Sequence, residues 1–240
     1  MKKLKIGIIG VGRLGYEHAC NIANRVPGSE LVAIADANFD RAKQVAEELG
    51  VTAVYNDPKA LCADPNVEAV AIITNTASHV EMIKIAMDAG KHVFCEKPLA
   101  DTVEKCKEAE AIIAAHPELT FMLGFMRRYD HSYQVAKKKM ENGDIGDVIL
   151  VRCYSQDPIS IIEGTLEYAP RSGGQFIDMS IHDFDLIRWL TGSEVKELWA
   201  TGGCYEFKQY KDWDDGDNVS GLMKMENDAM AFFFAGRAAA

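Results

Sequence analysis

Asp178 and His182 stand four residues apart in Gly173-Gly174-Gln175-Phe176-Ile177-Asp178-Met179-Ser180-Ile181-His182. On a helix that spacing puts both side chains on one face. An acid beside an imidazole is a proton-transfer pair, and a histidine titrates close to neutral pH. Asp183 and Asp185 follow, so an acidic helix start accounts for the same residues. A second candidate is Glu96-Lys97-Pro98, directly after the apolar run His92-Val93-Phe94-Cys95. A lysine at the carboxyl end of a strand can reach over a ligand cleft, and Pro98 stiffens the turn. The competing account is a surface ion pair between Glu96 and Lys97.

A third constellation points to a dinucleotide. The strand-type run Leu4–Ile9 leads into Gly10-Val11-Gly12-Arg13-Leu14-Gly15, and a helix-forming stretch follows. Gly10 permits a tight turn, Gly12 lets the backbone approach a pyrophosphate, and Gly15 lets helix and strand pack closely. With Arg13 and Leu14, these glycines open a helix whose unpaired N–H groups and positive dipole end favour phosphate. A second apolar run, Leu31–Ala35, ends at Asp36, 21 residues beyond Gly15. An acid there accepts hydrogen bonds from the adenine ribose, and it favours NAD over NADP because a 2′-phosphate would meet a carboxylate. Thr74-Asn75-Thr76, after the apolar run Ala69–Ile73, offers short polar side chains to a ribose or nicotinamide; an ordinary capped loop fits these types equally.

The elements that must position these residues alternate through the first half. Strands are expected at 4–9, 31–35, 52–55, 69–73, 92–95 and 120–124, with helices after Gly15, over 39–49, from Pro58, from a Ser78 cap to Asp88, and over 101–115. Continuous apolar strands separated by helices imply a parallel sheet covered on both faces. Residues 1–125 therefore read as an α/β, doubly wound Rossmann domain. Residues 126–240 carry strand-like runs at 148–154, 195–207, 219–225 and 230–235. One helix stands out among them, around 182–190. That pattern implies a C-terminal α+β domain with a mostly antiparallel open sheet. Tyr210–Asp217, with four aspartates, reads as a solvated loop. The last run stops at Arg237-Ala238-Ala239-Ala240, like a sheet cut short.

Composition narrows the classes. The 240 residues are 48 % hydrophobic and 26 % charged, and a net charge of −10 argues against a nucleic-acid surface. The basic run Lys137-Lys138-Lys139 sits beside Glu141 and Asp144 on an expected helix and reads as a solvated face. The six cysteines show no CxxC pair or metal-ligand spacing and read as reduced thiols of a cytoplasmic protein. No metal site is expected. Met1-Lys2-Lys3 leads straight into a strand without a signal-peptide core, and no apolar run is long enough to span a bilayer.

Gly10–Gly15, Glu96–Pro98 and the Gly173–His182 stretch together resemble the Gfo/Idh/MocA family of NAD(P)-dependent oxidoreductases, along the whole chain. Within it, Gly124–Asp130 and Asp157-Pro158-Ile159-Ser160 look most like the inositol 2-dehydrogenases. The resemblance implies NAD as cofactor and a polyol or sugar substrate, with no nucleic acid or membrane partner. His182 would be the general base for a secondary alcohol, and Lys97 would stabilise alkoxide charge on the substrate oxygen. Asp178 would orient the base or hold a neighbouring hydroxyl. Arg127 and Asp157 are further donors and acceptors for a polyol, although Arg127 could instead pair with Asp130. Family members usually carry a further C-terminal portion completing a sheet that forms the dimer or tetramer interface. Asn75 replaces a proline common in the family. Another sugar as substrate, or a non-catalytic NAD-sensing regulator, stays open.

Overall fold

The computed structural model describes residues 2–239. The chain divides into two compact units, Met1–Gly124 and Phe125–Ala240.

The first unit alternates strand and helix: β1 Leu4–Ile9, α1 Arg13–Asn24, β2 Ser29–Ala35, α2 Phe39–Leu49, β3 Ala53–Tyr55, α3 Pro58–Ala63, β4 Ala69–Ile72, α4 His79–Asp88, β5 His92–Cys95, α5 Val103–Ala114 and β6 Phe121–Leu123. The strands form one sheet in the order β3-β2-β1-β4-β5-β6, parallel throughout. Successive side chains of a strand point to opposite faces, and here both faces are buried. Ile8, Ile34 and Ala71 pack with Ala19 and Ile22 of α1 and with Val45 of α2. Ile9, Ala35 and Ile72 pack with Leu61 of α3, Ile83 of α4 and Ala109 of α5. Each fully buried large side chain in these layers contributes about 1.5–3 kcal/mol. Asn38, Asp57 and Thr102 cap α2, α3 and α5 by accepting N–H groups of Arg41, Lys59 and Lys105.

The second unit contains α6 His131–Glu141, β7 Leu150–Pro158, α7 Ile162–Tyr168, α8 Ile181–Thr191, β8 Val195–Gly203, β9 Asn218–Met225 and β10 Met230–Ala239. Its sheet runs β7-β10-β9-β8; β10 pairs with β7 in parallel, and β9 pairs antiparallel with β10 and β8. Alternation on β7 buries Val151, Cys153 and Ser155. Val151 and Cys153 join Ile187, Met223, Met225 and Phe233 in the core. On α6, Lys137 and Lys139 lie 3.6 Å from carboxylate oxygens of Glu141 and Asp144. Among the described residues, no helix is long and apolar enough to cross a membrane.

Three local expectations change. The segment before α8 forms a π-turn over Phe176–Ser180 in place of a plain α-helical lead-in. β8 ends at Gly203, because the next N–H groups, of Tyr205, Glu206 and Phe207, turn inward to the Asp217 carboxylate at 2.6–3.0 Å. Tyr210–Asp217 is likewise no plain solvated loop: Tyr210 and Asp217 are completely buried, with Tyr210 set edge-on to Trp213 at 5.4 Å.

Candidate functional site

In the first unit the predicted residues lie at the carboxyl ends of β1, β2, β4 and β5. Gly10 has φ +92°, and a Cβ on it would sit 2.4 Å from the Ile73 carbonyl oxygen. A Cβ on Gly15 would meet the Gly10 carbonyl oxygen at 2.0 Å, so α1 approaches the loop as closely as backbone allows. Beside Gly12 no atom lies within 4 Å of a would-be Cβ. The loop is therefore closed on its protein side and open at Gly12, where the N-terminus of α1 can take a pyrophosphate. Arg13 and Leu14 are exposed on the first turn of α1. Asp36 accepts the Val11 and Asn38 N–H groups, both at 2.7 Å, which ties the end of β2 to the glycine loop. These residues fit a dinucleotide: an open backbone cradle for phosphate with a carboxylate held next to it.

The two remaining loops are fastened by histidines. Glu96 Oε1 accepts from His18 Nε2 at 2.8 Å, and Glu96 Oε2 accepts the Lys97 N–H at 3.1 Å. The His18 ring also lies against Phe94, with centroids 5.5 Å apart. His79, buried at the start of α4, has Nδ1 2.8 Å from the Pro98 carbonyl oxygen and Nε2 3.3 Å from that of Thr74. One imidazole thus spans the turn after β4 and the turn after β5. Thr74 and Thr76 are half-buried and Asn75 is exposed. Ser78 does not cap α4 through its hydroxyl; that group bonds Thr74 Oγ1 at 2.7 Å and the Asn75 carbonyl at 2.8 Å, within a tight Thr76–Ser78 turn.

In the second unit Asp178 and His182 are both half-buried, and the His182 ring stands edge-on to Phe125 at 6.5 Å. Asp183 does stand in the first turn of α8, as an acidic helix start places it, and both Asp183 and Asp185 are buried. Asp183 pairs with Arg127, whose other nitrogen donates to Ser155 Oγ at 2.8 Å, and Ser155 in turn donates to Asp183 Oδ1 at 2.8 Å. Asp185 takes a two-pronged contact from Arg128 at 2.8 and 2.7 Å. Asp130 caps α6 through the Ser132 and Tyr133 N–H groups and is not the partner of Arg127.

Sequence reasoning missed Arg237. Its buried guanidinium donates to Asp157 at 2.9 Å and to Asp178 at 2.7 Å, which joins two predicted substrate residues. Arg127 belongs to a different ion pair. Burial works against the Arg237 charge, but Asp178 and Asp157 outweigh it and hold its pKa above the ordinary arginine value. Alternation supplied the available signal: Asp157 follows Cys153 and Ser155 on one face of β7, and Arg237 follows Phe233 and Ala235 on β10. A register irregularity between Gly236 and Ala239 falls at this point, where bulges re-aim side chains.

Residues 4–125 match the model of the GFO/IDH/MocA oxidoreductase family, NAD-binding Rossmann fold, and residues 133–240 match the GFO/IDH/MocA C-terminal domain. A solved scyllo-inositol dehydrogenase from Lactobacillus casei, with bound NAD(H) and scyllo-inositol, is 40 % identical and superposes with a TM-score of 0.94. The match covers 100 % of this chain and 71 % of that one. The myo-inositol 2-dehydrogenase of Thermotoga maritima is 37 % identical over 95 % of this chain and 66 % of its own length. For the scyllo-inositol 2-dehydrogenase (NAD(+)) of Bacillus subtilis the values are 38 %, 88 % and 62 %. The chain thus spans slightly less than two thirds of these curated relatives. Its glycine loop, its parallel sheet and both family matches agree: the chain belongs to the Gfo/Idh/MocA oxidoreductases and carries their NAD-binding Rossmann domain.

Proposed function

We propose that the chain is an NAD-dependent dehydrogenase of a cyclic polyol, oxidising myo-inositol at one secondary alcohol to its 2-keto product. The observation that carries this reading is the likeness, over the whole chain, to a solved relative holding NAD(H) and scyllo-inositol. When bound, NAD supplies a hydride acceptor at the nicotinamide. His182 takes the hydroxyl proton as general base, and Asp178 holds a neighbouring hydroxyl. Lys97 donates to the substrate oxygen and stabilises negative charge developing there. Thr74, Asn75, Thr76 and Glu96 line the cofactor, and Asp36 accepts from its ribose. The apolar side chains Leu150, Tyr154, Trp199, Leu222 and Met230 are exposed on the second unit's sheet, as a self-association surface of a homo-oligomer would be.

NADH formation by the purified chain with myo-inositol, scyllo-inositol and glucose tests the reading. Turnover with an inositol is expected, and turnover with glucose alone would transfer the chemistry to a pyranose. His182→Ala should lower turnover about 10²–10⁴-fold while NADH affinity stays put. A fully active His182→Ala protein removes His182 from the mechanism.

A further inference from the structure

We propose that Arg237 is a positioning residue for polyol specificity: it aligns Asp157 and Asp178 as a paired acceptor for two hydroxyls of one uncharged polyol. The inference rests on the dehydrogenase reading above. Asp157 belongs to β7, Arg237 to β10 and Asp178 to the π-turn before α8. The guanidinium is their common point, at 2.9 and 2.7 Å. Its side chain is 4 % exposed, against 23 % and 17 % for the two aspartates. The positive charge therefore lies beneath the carboxylates, which keep an accessible side.

Without the arginine, two acids this close to one point would repel and rotate apart. With it, a rigid planar fork sets both carboxylates at a fixed separation. One guanidinium against two carboxylates leaves the trio net negative. Such a pair accepts hydrogen bonds from neutral hydroxyls and repels carboxylate or phosphate groups on a ligand, so the class it fits is an uncharged polyhydroxyl compound. Arg237 is itself held from behind: its backbone N–H donates to the Asp217 carbonyl at 2.9 Å, and Asp217 gathers the three N–H groups after β8.

The test is calorimetric binding of myo-inositol, and of analogues each lacking one hydroxyl, to the NADH-loaded chain. Wild type, Arg237→Met and Arg237→Lys are compared, with thermal unfolding as a check on folding. Arg237→Met should weaken myo-inositol binding about 30-fold, the scale of a lost charged hydrogen bond. For an analogue that lacks a hydroxyl held by the pair, the same substitution should cost about threefold or less. Arg237→Lys keeps the charge without the planar fork and should show the same pattern at roughly tenfold. NADH affinity should stay constant in all three proteins. Equal losses for every analogue in the folded variants, or no loss, would overturn the proposal, because a purely structural arginine does not distinguish hydroxyls. A wild-type chain that binds NADH but no polyol would instead overturn the dehydrogenase reading, and the proposal with it.

Discussion

The two units hold their functional charges in different ways. In the first, Asp36 is fixed by two backbone N–H groups, from Val11 and Asn38, and the cradle beside it is backbone shaped by glycine. In the second, Asp183, Asp185, Asp157 and Asp178 face the guanidinium groups of Arg127, Arg128 and Arg237. A backbone-built site depends on close approach of main chain, so its weak point is steric. A site built on ion pairs depends on every partner being present, because removing one leaves an uncompensated buried charge. The first should tolerate changes of charge and fail on added volume; the second should do the reverse.

The largest effect is expected for Gly15→Val. Its Cβ would lie 2.0 Å from the Gly10 carbonyl oxygen, and backbone on both sides cannot move without pulling α1 off the sheet. A loss of about 5 kcal/mol or more, at the extreme of single substitutions, should leave no folded first unit by circular dichroism. Asp183→Ala comes next. It strands Arg127 and removes the acceptor of Ser155, and it should cost about 3–5 kcal/mol in urea unfolding. NADH affinity of whatever remains folded should be unchanged, since the cradle belongs to the other unit. If Asp183→Ala also abolished NADH binding in folded protein, the contrast between the units would break.

The same contrast explains what could be read from the amino acids alone. The parallel strands and the Gly10–Gly15 loop are legible because each signal is local: an apolar run, a glycine where φ is positive, an acid at a set spacing. The ion-pair network is not. Arg127 and Asp183 are 56 residues apart, Arg128 and Asp185 57, and Arg237 stands 59 and 80 residues from its two acids. Alternation along β7 and β10 gives the face on which Asp157 and Arg237 lie, but not that they meet; only strand register does that, and register follows from the assembled sheet. Asp183 and Asp185 were therefore readable as an acidic helix start but not as buried partners of Arg127 and Arg128. Tyr210 and Asp217 were hidden among four aspartates for the same reason. His18 and His79 were missed because isolated histidines on helices carry no signal until the turns they clasp are in place.

Asp217 sharpens the comparison, because it is a second-unit carboxylate held in the first unit's manner. Burial pushes its pKa up, but N–H groups of Tyr205, Phe207 and Glu206 and the side-chain amide of Asn218 outweigh burial, and the net pKa lies below the ordinary aspartate value. A carboxyl whose folded value is depressed stabilises the fold fully above its unfolded value of about 3.9. That contribution is lost as pH falls through the lower folded value. Charge-assisted bonds to several N–H groups set its size at about 2–3 kcal/mol. Asp217→Asn should lower unfolding free energy by about that amount at pH 7, less than Asp183→Ala does, since no arginine is left unpaired. The two proteins should converge as the solution is acidified below pH 4, because protonation removes from the wild type the charge that the variant already lacks. A constant gap between wild type and variant from pH 7 to below pH 4 would mean that shape, not charge, holds the chain after β8, and Asp217 would then belong with the glycines.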